Sequence, residues 1–91
     1  MNLLTECIEI VRGIAGNDYL YFDSAVEVKV NPHTPAFHAW GVCVSPKNDL
    51  YVMDGNEQWH QLKTSDQHAH LVIGSLYQRL NLLRVRYAKA S

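Results

Sequence analysis

Residues 20–30 read LYFDSAVEVKV, and apolar side chains alternate with polar ones along this stretch. One face carries Leu20, Phe22, Val26, Val28 and Val30, and the other carries Tyr21, Asp23, Glu27 and Lys29. Because successive side chains of a strand point to opposite sides, this alternation predicts a half-buried β-strand. Two prolines, Pro32 and Pro35, end the strand, since proline has no amide hydrogen to donate to a sheet.

Further strands are predicted directly after this one. Residues 36–44, AFHAWGVCV, have almost no polar face, which is typical of a strand that is covered on both sides. Turn-forming residues at 45–49 (SPKND) and 55–57 (GNE) separate two shorter strands at 50–54 and 58–62. The middle of the chain therefore predicts an antiparallel meander of three or four strands.

An amphipathic helix is predicted on each side of the meander. The first covers residues 3–14 and stops at Gly16. The second follows Thr64, whose side chain forms a predicted capping box with Gln67, and its apolar stripe comprises Ala69, Val72, Ile73, Leu76, Leu80, Leu83 and Tyr87. Residues 88–91 are expected to fray. We predict one two-layer α+β domain over residues 1–91, with both helices on one face of the sheet.

Composition limits the classes of partner. The formal net charge is -1, so no long-range field attracts a nucleic acid or an anionic membrane. The cations Arg79, Arg84, Arg86 and Lys89 spread around the last helix rather than forming one stripe, which makes nucleic acid an unfavoured partner. The apolar run at 39–44 is too short to span a bilayer. Neither nucleic acid nor a membrane is predicted as a partner.

The N-terminus and the two cysteines indicate a cellular compartment. Glu6 and Glu9 interrupt the first apolar segment, and no basic region precedes it, so no secretory signal is predicted. Cys7 and Cys43 stand singly in apolar surroundings, as buried free thiols do in a reducing compartment. We therefore predict a cytoplasmic protein, with a Cys7–Cys43 disulfide in an exported protein as the alternative.

Five histidines raise the question of a metal site or an active site. His68 and His70 lie two residues apart and so point about 200° from each other on a helix, which is unsuitable for a shared metal. No nucleophile motif or phosphate-binding loop is present either. We predict no metal and no cofactor, and we favour binding over catalysis. A small ligand-binding or enzymatic pocket near His38, Trp40, Trp59 and His60 is the second hypothesis.

The first hypothesis is an interaction domain that binds a protein, most simply a second copy of itself. If both helices cover one face of the sheet, the other face shows Tyr21 and either Tyr51 with Met53 or Leu50 with Val52. On the last helix, Leu71, Leu82 and Val85 project away from the core stripe. A contiguous apolar patch on a small domain is often an interface. Isolated exposed apolar residues are ordinary, and a strand register shifted by one residue is the other explanation.

Overall fold

A computed structural model describes residues 2–90, without the side chains at positions 66 and 88–90. The elements are α1 (Leu3–Ala15), β1 (Leu20–Val28), β2 (Phe37–Val44), β3 (Leu50–Met53), β4 (Trp59–Gln61), a 3-10 turn (Asp66–His68) and α2 (Ala69–Ala90). The strands form one antiparallel sheet in the order β1-β2-β3-β4. The predicted order of helix, meander and helix is confirmed. The fraying predicted for residues 88–91 stays a prediction, since α2 includes the backbone up to Ala90 and residue 91 lies outside the described residues.

Both helices pack on one face of the sheet and on each other. The sheet contributes the buried side chains of Leu20, Phe22, Val26, Val28, Ala39, Val42, Val44, Leu50 and Val52, and the helices contribute those of Cys7, Ile10, Val11, Ala69, Val72, Ile73, Leu76 and Leu80. The alternation in β1 and the helical stripe of α2 therefore meet in one core, because each presents a single apolar face.

The strand register determines which side chains occupy the face that the helices leave uncovered, which we call the open face. Tyr21 pairs with Gly41, Gly41 with Met53, and Met53 with Trp59. This row crosses all four strands. Tyr51 pairs with Cys43 in the same way, whereas Leu50 and Val52 are buried under the helices. Of the two registers that the sequence allowed, the structure has the one that places Tyr51 and Met53 on the open face.

The edge of β1 is irregular and is covered by α2. The ladder shifts between Tyr21 and Val26, so that residues 22–25 lie opposite Trp40 alone. Arg79 of α2 donates to the Ser24 carbonyl over 2.9 Å and to Ser24 Oγ over 3.1 Å. The Lys29 amide donates to the Val72 carbonyl of α2. A bulge and a covering helix are two ways in which proteins prevent a strand edge from pairing with another chain.

Three local predictions differ from the structure. Thr64 donates to the Ser65 carbonyl rather than forming a capping box with Gln67, because a 3-10 turn precedes α2. Tyr87 is 52% exposed, since the end of α2 leaves the core. β2 is covered by helices on one side only, and its open face is screened in part by neighbouring aromatic rings. At the other end of the chain, the Asn2 side chain caps α1 by accepting from the amides of Leu4 and Thr5.

Candidate functional site

An aromatic cluster lies on the open face. The rings of Tyr19 and Trp59 are 4.9 Å apart between centroids and tilted by 35°, and Tyr19 meets Tyr21 edge to face at 6.2 Å. Tyr19 and Tyr21 are 56% and 58% exposed. Stacked and edge-to-face rings stabilise one another, so the cluster forms a preorganised apolar surface in contact with water. We call Tyr19, Tyr21 and Trp59 the aromatic cluster.

Gly41 makes the close approach of these rings possible. A Cβ at this position would lie 3.2 Å from Tyr21 Cδ1 and 3.3 Å from the Leu20 carbonyl oxygen. A side chain here would press on the Tyr21 ring and the Leu20 carbonyl by a few tenths of an ångström, so glycine favours this close approach. Because no side chain rises from Gly41, the centre of the open face is low, and the Tyr21 ring from β1 lies over it.

Tyr51, Met53 and Cys43 extend the open face beside the cluster and are half-buried. Burial raises the pKa of the Cys43 thiol, which keeps it protonated and unreactive. Cys7 lies on the opposite side of the sheet, where burial, and to a smaller extent Glu6, raise its pKa to about 12. Both thiols are free. The sheet stands between them, which is why a Cys7–Cys43 disulfide does not form.

The three apolar candidates on α2 are exposed, but they do not form one patch. Leu71, Leu82 and Val85 are 54%, 61% and 49% exposed. Eleven positions separate Leu71 from Leu82, and the exposed Ser75 and Gln78 lie between them. Because side chains three or four positions apart are neighbours on a helix, Leu82 and Val85 form a pair and Leu71 stands alone. The aromatic cluster is therefore the more continuous apolar surface.

The four residues of the predicted ligand pocket are not gathered in one cavity. His38 is opposite Glu27 on the open face, and the Trp40 indole lies near Gly55 in the β3–β4 turn. Trp59 contacts Tyr19 on the open face, whereas the next residue, His60, points to the helix side and packs on Phe37 at 5.3 Å between rings. Adjacent residues of a strand face opposite sides, which separates this pair. Trp59 and His60 both line a cavity at the edge of β4.

Asp54 organises the turn between β3 and β4 and orients His60. Its Oδ1 accepts from the amides of Asn56 and Gln58 over 2.8 and 3.0 Å, and its Oδ2 lies 2.7 Å from His60 Nε2. These hydrogen bonds, chiefly the one from His60, hold the pKa of the Asp54 carboxyl below its usual value. Because a carboxylate only accepts, His60 Nε2 carries a proton in this hydrogen bond, and Asp54 does not engage Nδ1.

The lowered pKa of Asp54 predicts an acid-dependent loss of stability. A carboxyl with a lower pKa in the folded chain than in the unfolded chain stabilises the fold above its unfolded pKa, about 3.9, and the contribution is lost as pH falls through the folded value. We expect Asp54→Asn to lower the urea midpoint at pH 7 and to flatten its decline below about pH 4. Circular dichroism at both pH values measures this. Asp18→Asn, in an exposed turn, is the control, and an Asp54→Asn curve that follows wild type throughout contradicts the prediction.

A cavity that the sequence pattern did not predict lies between the two helices. Its volume is about 480 Å³, and it is lined by Glu6, Glu9, Ile10, Gly13, Ile14, Arg84 and Tyr87. The missing side chain at Gly13 and the outward turn of Tyr87 both widen it. Arg84 donates to Asn81 Oδ1 over 2.6 Å.

Tyr19 was also missed, although the sequence contains a signal for it. Extending the alternation of β1 back by two positions from Tyr21 places Tyr19 on the same face. Asn17 and Asp18, which precede it, predicted a turn at this point instead. Among the residues that the structure describes, no group of three or more His, Cys, Asp or Glu side chains is arranged to hold a metal ion, and no helix is long and apolar enough to cross a membrane.

Comparison with known proteins adds no further assignment. No family model, no curated protein and no solved structure matches this chain.

Proposed function

We propose that this protein is an interaction domain that self-associates through the open face of its sheet. The observation that carries the proposal is the aromatic cluster, in which the Tyr19 ring contacts those of Tyr21 and Trp59, and Tyr19 and Tyr21 are more than half exposed. Tyrosine and tryptophan are enriched at protein interfaces because they bury a large area for few rotatable bonds.

The sheet edges are less suitable for association than the open face. The β1 edge is bent by its irregularity and held by Arg79 and Lys29 contacts to α2. At the other edge, β4 has only three residues, and the Lys63 amide that follows it donates to the Val30 carbonyl. Short and covered edges resist strand addition. The contact that we propose is therefore face to face.

A second copy is the occupant that best matches the open face. In a two-fold dimer the same patch meets itself, and apolar rings are self-complementary where a patch of one charge is not. The net charge of -1 adds little repulsion between copies. A standard interface buries about 800 Å² per partner, which is roughly one seventh of the 5748 Å² accessible surface. One face of a two-layer domain provides an area of this order.

The mass in solution tests the proposal directly. We expect light scattering over a range of concentrations to approach twice the 10.4 kDa mass of one chain. Trp59 fluorescence, followed in a Trp40→Phe variant, should shift to shorter wavelength over the same range, because the indole leaves water on association. A constant monomer mass at high concentration would exclude self-association.

Ligand binding is the second function, and one observation favours it. Trp59 and His60 flank a concave pocket at the β4 edge, and His60 is held in place by Asp54. His38 and Trp40 lie outside this pocket, so they carry no part of the ligand-binding proposal.

A further inference from the structure

A polar pocket lies beside the β4 edge, on the flank of the open face rather than on it. Its volume is about 380 Å³, and its lining consists of Val30, Asn31, Trp59, His60, Gln61 and Lys63. This volume is within the range of about 300–1,000 Å³ that is typical of small-molecule sites. The hydrogen bond from the Lys63 amide to the Val30 carbonyl, 2.9 Å long, joins the two segments that form its walls. We call this cavity the β4 pocket.

The lining of the β4 pocket has one cationic side chain and no carboxylate. Lys63 is exposed and, within the described residues, forms no ion pair; Asp54 contacts the lining through its hydrogen bond with His60. Both carboxylate oxygens of Asp54 already accept hydrogen bonds, one from turn amides and the other from His60. An oxyanion entering the pocket therefore meets the Lys63 ammonium group without a competing acid in the lining.

The other polar groups of the pocket suit hydroxyl groups. Asn31 Oδ1 accepts from the His33 amide, which leaves the Asn31 amide group as a donor. The Gln61 amide both donates and accepts, and His60 Nδ1 is a further polar atom that can bind a hydroxyl group. The Trp59 indole supplies an apolar wall against which the C–H groups of a ring can pack.

From these groups together we propose that the β4 pocket binds a sugar or polyol that carries a phosphate or a carboxylate. Lys63 holds the oxyanion, and Asn31, His60 and Gln61 bind the hydroxyl groups. Trp59 packs on the apolar face of the ring. No covalent step is involved. The pocket shares Trp59 with the aromatic cluster, whereas Tyr19 and Tyr21 do not line it.

NMR titration of the full ¹⁵N-labelled chain tests this assignment. The probes are glucose 6-phosphate, glucuronate and unmodified glucose. We expect saturable shifts of the Trp59 indole, Gln61 and Lys63 signals with at least one acid, with a dissociation constant on the order of 1 mM. Glucose should bind at least about tenfold more weakly, because it lacks the charged contact. The acid that binds more tightly shows whether the pocket prefers a phosphate or a carboxylate.

Two lysine variants decide whether the binding belongs to this pocket. Lys63→Gln should abolish the preference for the acids over glucose, and Lys47→Gln, an exposed lysine in the β2–β3 turn, should retain it. The proposal is overturned if neither acid gives saturable shifts, or if the acids bind Lys63→Gln as well as wild type. Because Tyr21→Glu leaves the pocket lining intact, titration of that variant separates ligand binding from self-association.

Discussion

Tyr21→Glu should convert the protein from a dimer to a monomer at concentrations where wild type is dimeric. The substitution removes one ring of the aromatic cluster and places a carboxylate on both sides of a two-fold contact. Central aromatic residues contribute about 2 kcal/mol or more to an interface, which corresponds to a roughly thirtyfold rise in dissociation constant. Sedimentation equilibrium of the two proteins at matched concentrations measures the change.

Tyr87→Glu is the matched control for this experiment. Tyr87 is 52% exposed, close to the 58% of Tyr21, and lies near the end of α2, on the helix side of the sheet. The same change of residue therefore alters charge and exposed apolar area equally without touching the open face. If both variants weaken self-association equally, the loss reflects a general change of the surface and not a contact at the open face. Loss of association in Tyr87→Glu alone would move the interface to the helices.

Leu76→Ala should produce a large loss of stability. Leu76 is fully buried near the middle of α2, where that helix packs on the sheet and on α1. Truncating a buried leucine costs about 2–5 kcal/mol, through lost burial and the cavity that remains. For a domain of this size, each kcal/mol lowers the melting temperature by roughly 4–8 °C. Urea and thermal unfolding followed by circular dichroism measure the loss.

Leu82→Ala provides the control on the same helix. Leu82 is 61% exposed, so the same truncation should change the free energy of unfolding by less than about 0.5 kcal/mol. Both variants must be compared at one protein concentration, since association stabilises the folded chain. Comparable losses at the two positions would show that Leu82 is buried in solution, which would assign an interface to the outer side of α2 instead.

Sequence periodicity predicted the elements well, because each has one apolar face. The alternation in residues 20–30 identified β1, and the stripe from Ala69 to Leu80 identified the buried side of α2. Both are local consequences of backbone geometry. Element ends were less accurate. The 3-10 turn before α2 and the exposure of Tyr87 depend on where the helix meets and leaves the core, which no local pattern records.

The open face could be predicted in part. Tyr21 was assigned to it from β1 alone, but the choice between Tyr51 with Met53 and Leu50 with Val52 required the register of β3 against β2. A shift of one residue reverses the two faces. The pairing of Val52 with Val42 under the helices decided this choice.

The chemical neighbours of the candidate site came only from tertiary structure. Sequence reasoning grouped His60 with Trp59, yet these residues face opposite sides of β4, and His60 is instead oriented by Asp54, six positions away. Lys63 and Asn31 meet because the Lys63 amide reaches the Val30 carbonyl across the fold. Such contacts join residues distant in the chain, and periodicity carries no information about them.

By itself, the sequence determined the α+β class, the order of the elements and the apolar faces that form the core, because these follow from side-chain periodicity along a short segment. Tertiary structure decided which aromatic rings meet above Gly41, which edges of the sheet are covered and which polar groups line the β4 pocket. The physical reason is that strand register and helix packing are set by the joint burial of all the apolar faces, and a surface site is formed by whatever that burial leaves exposed.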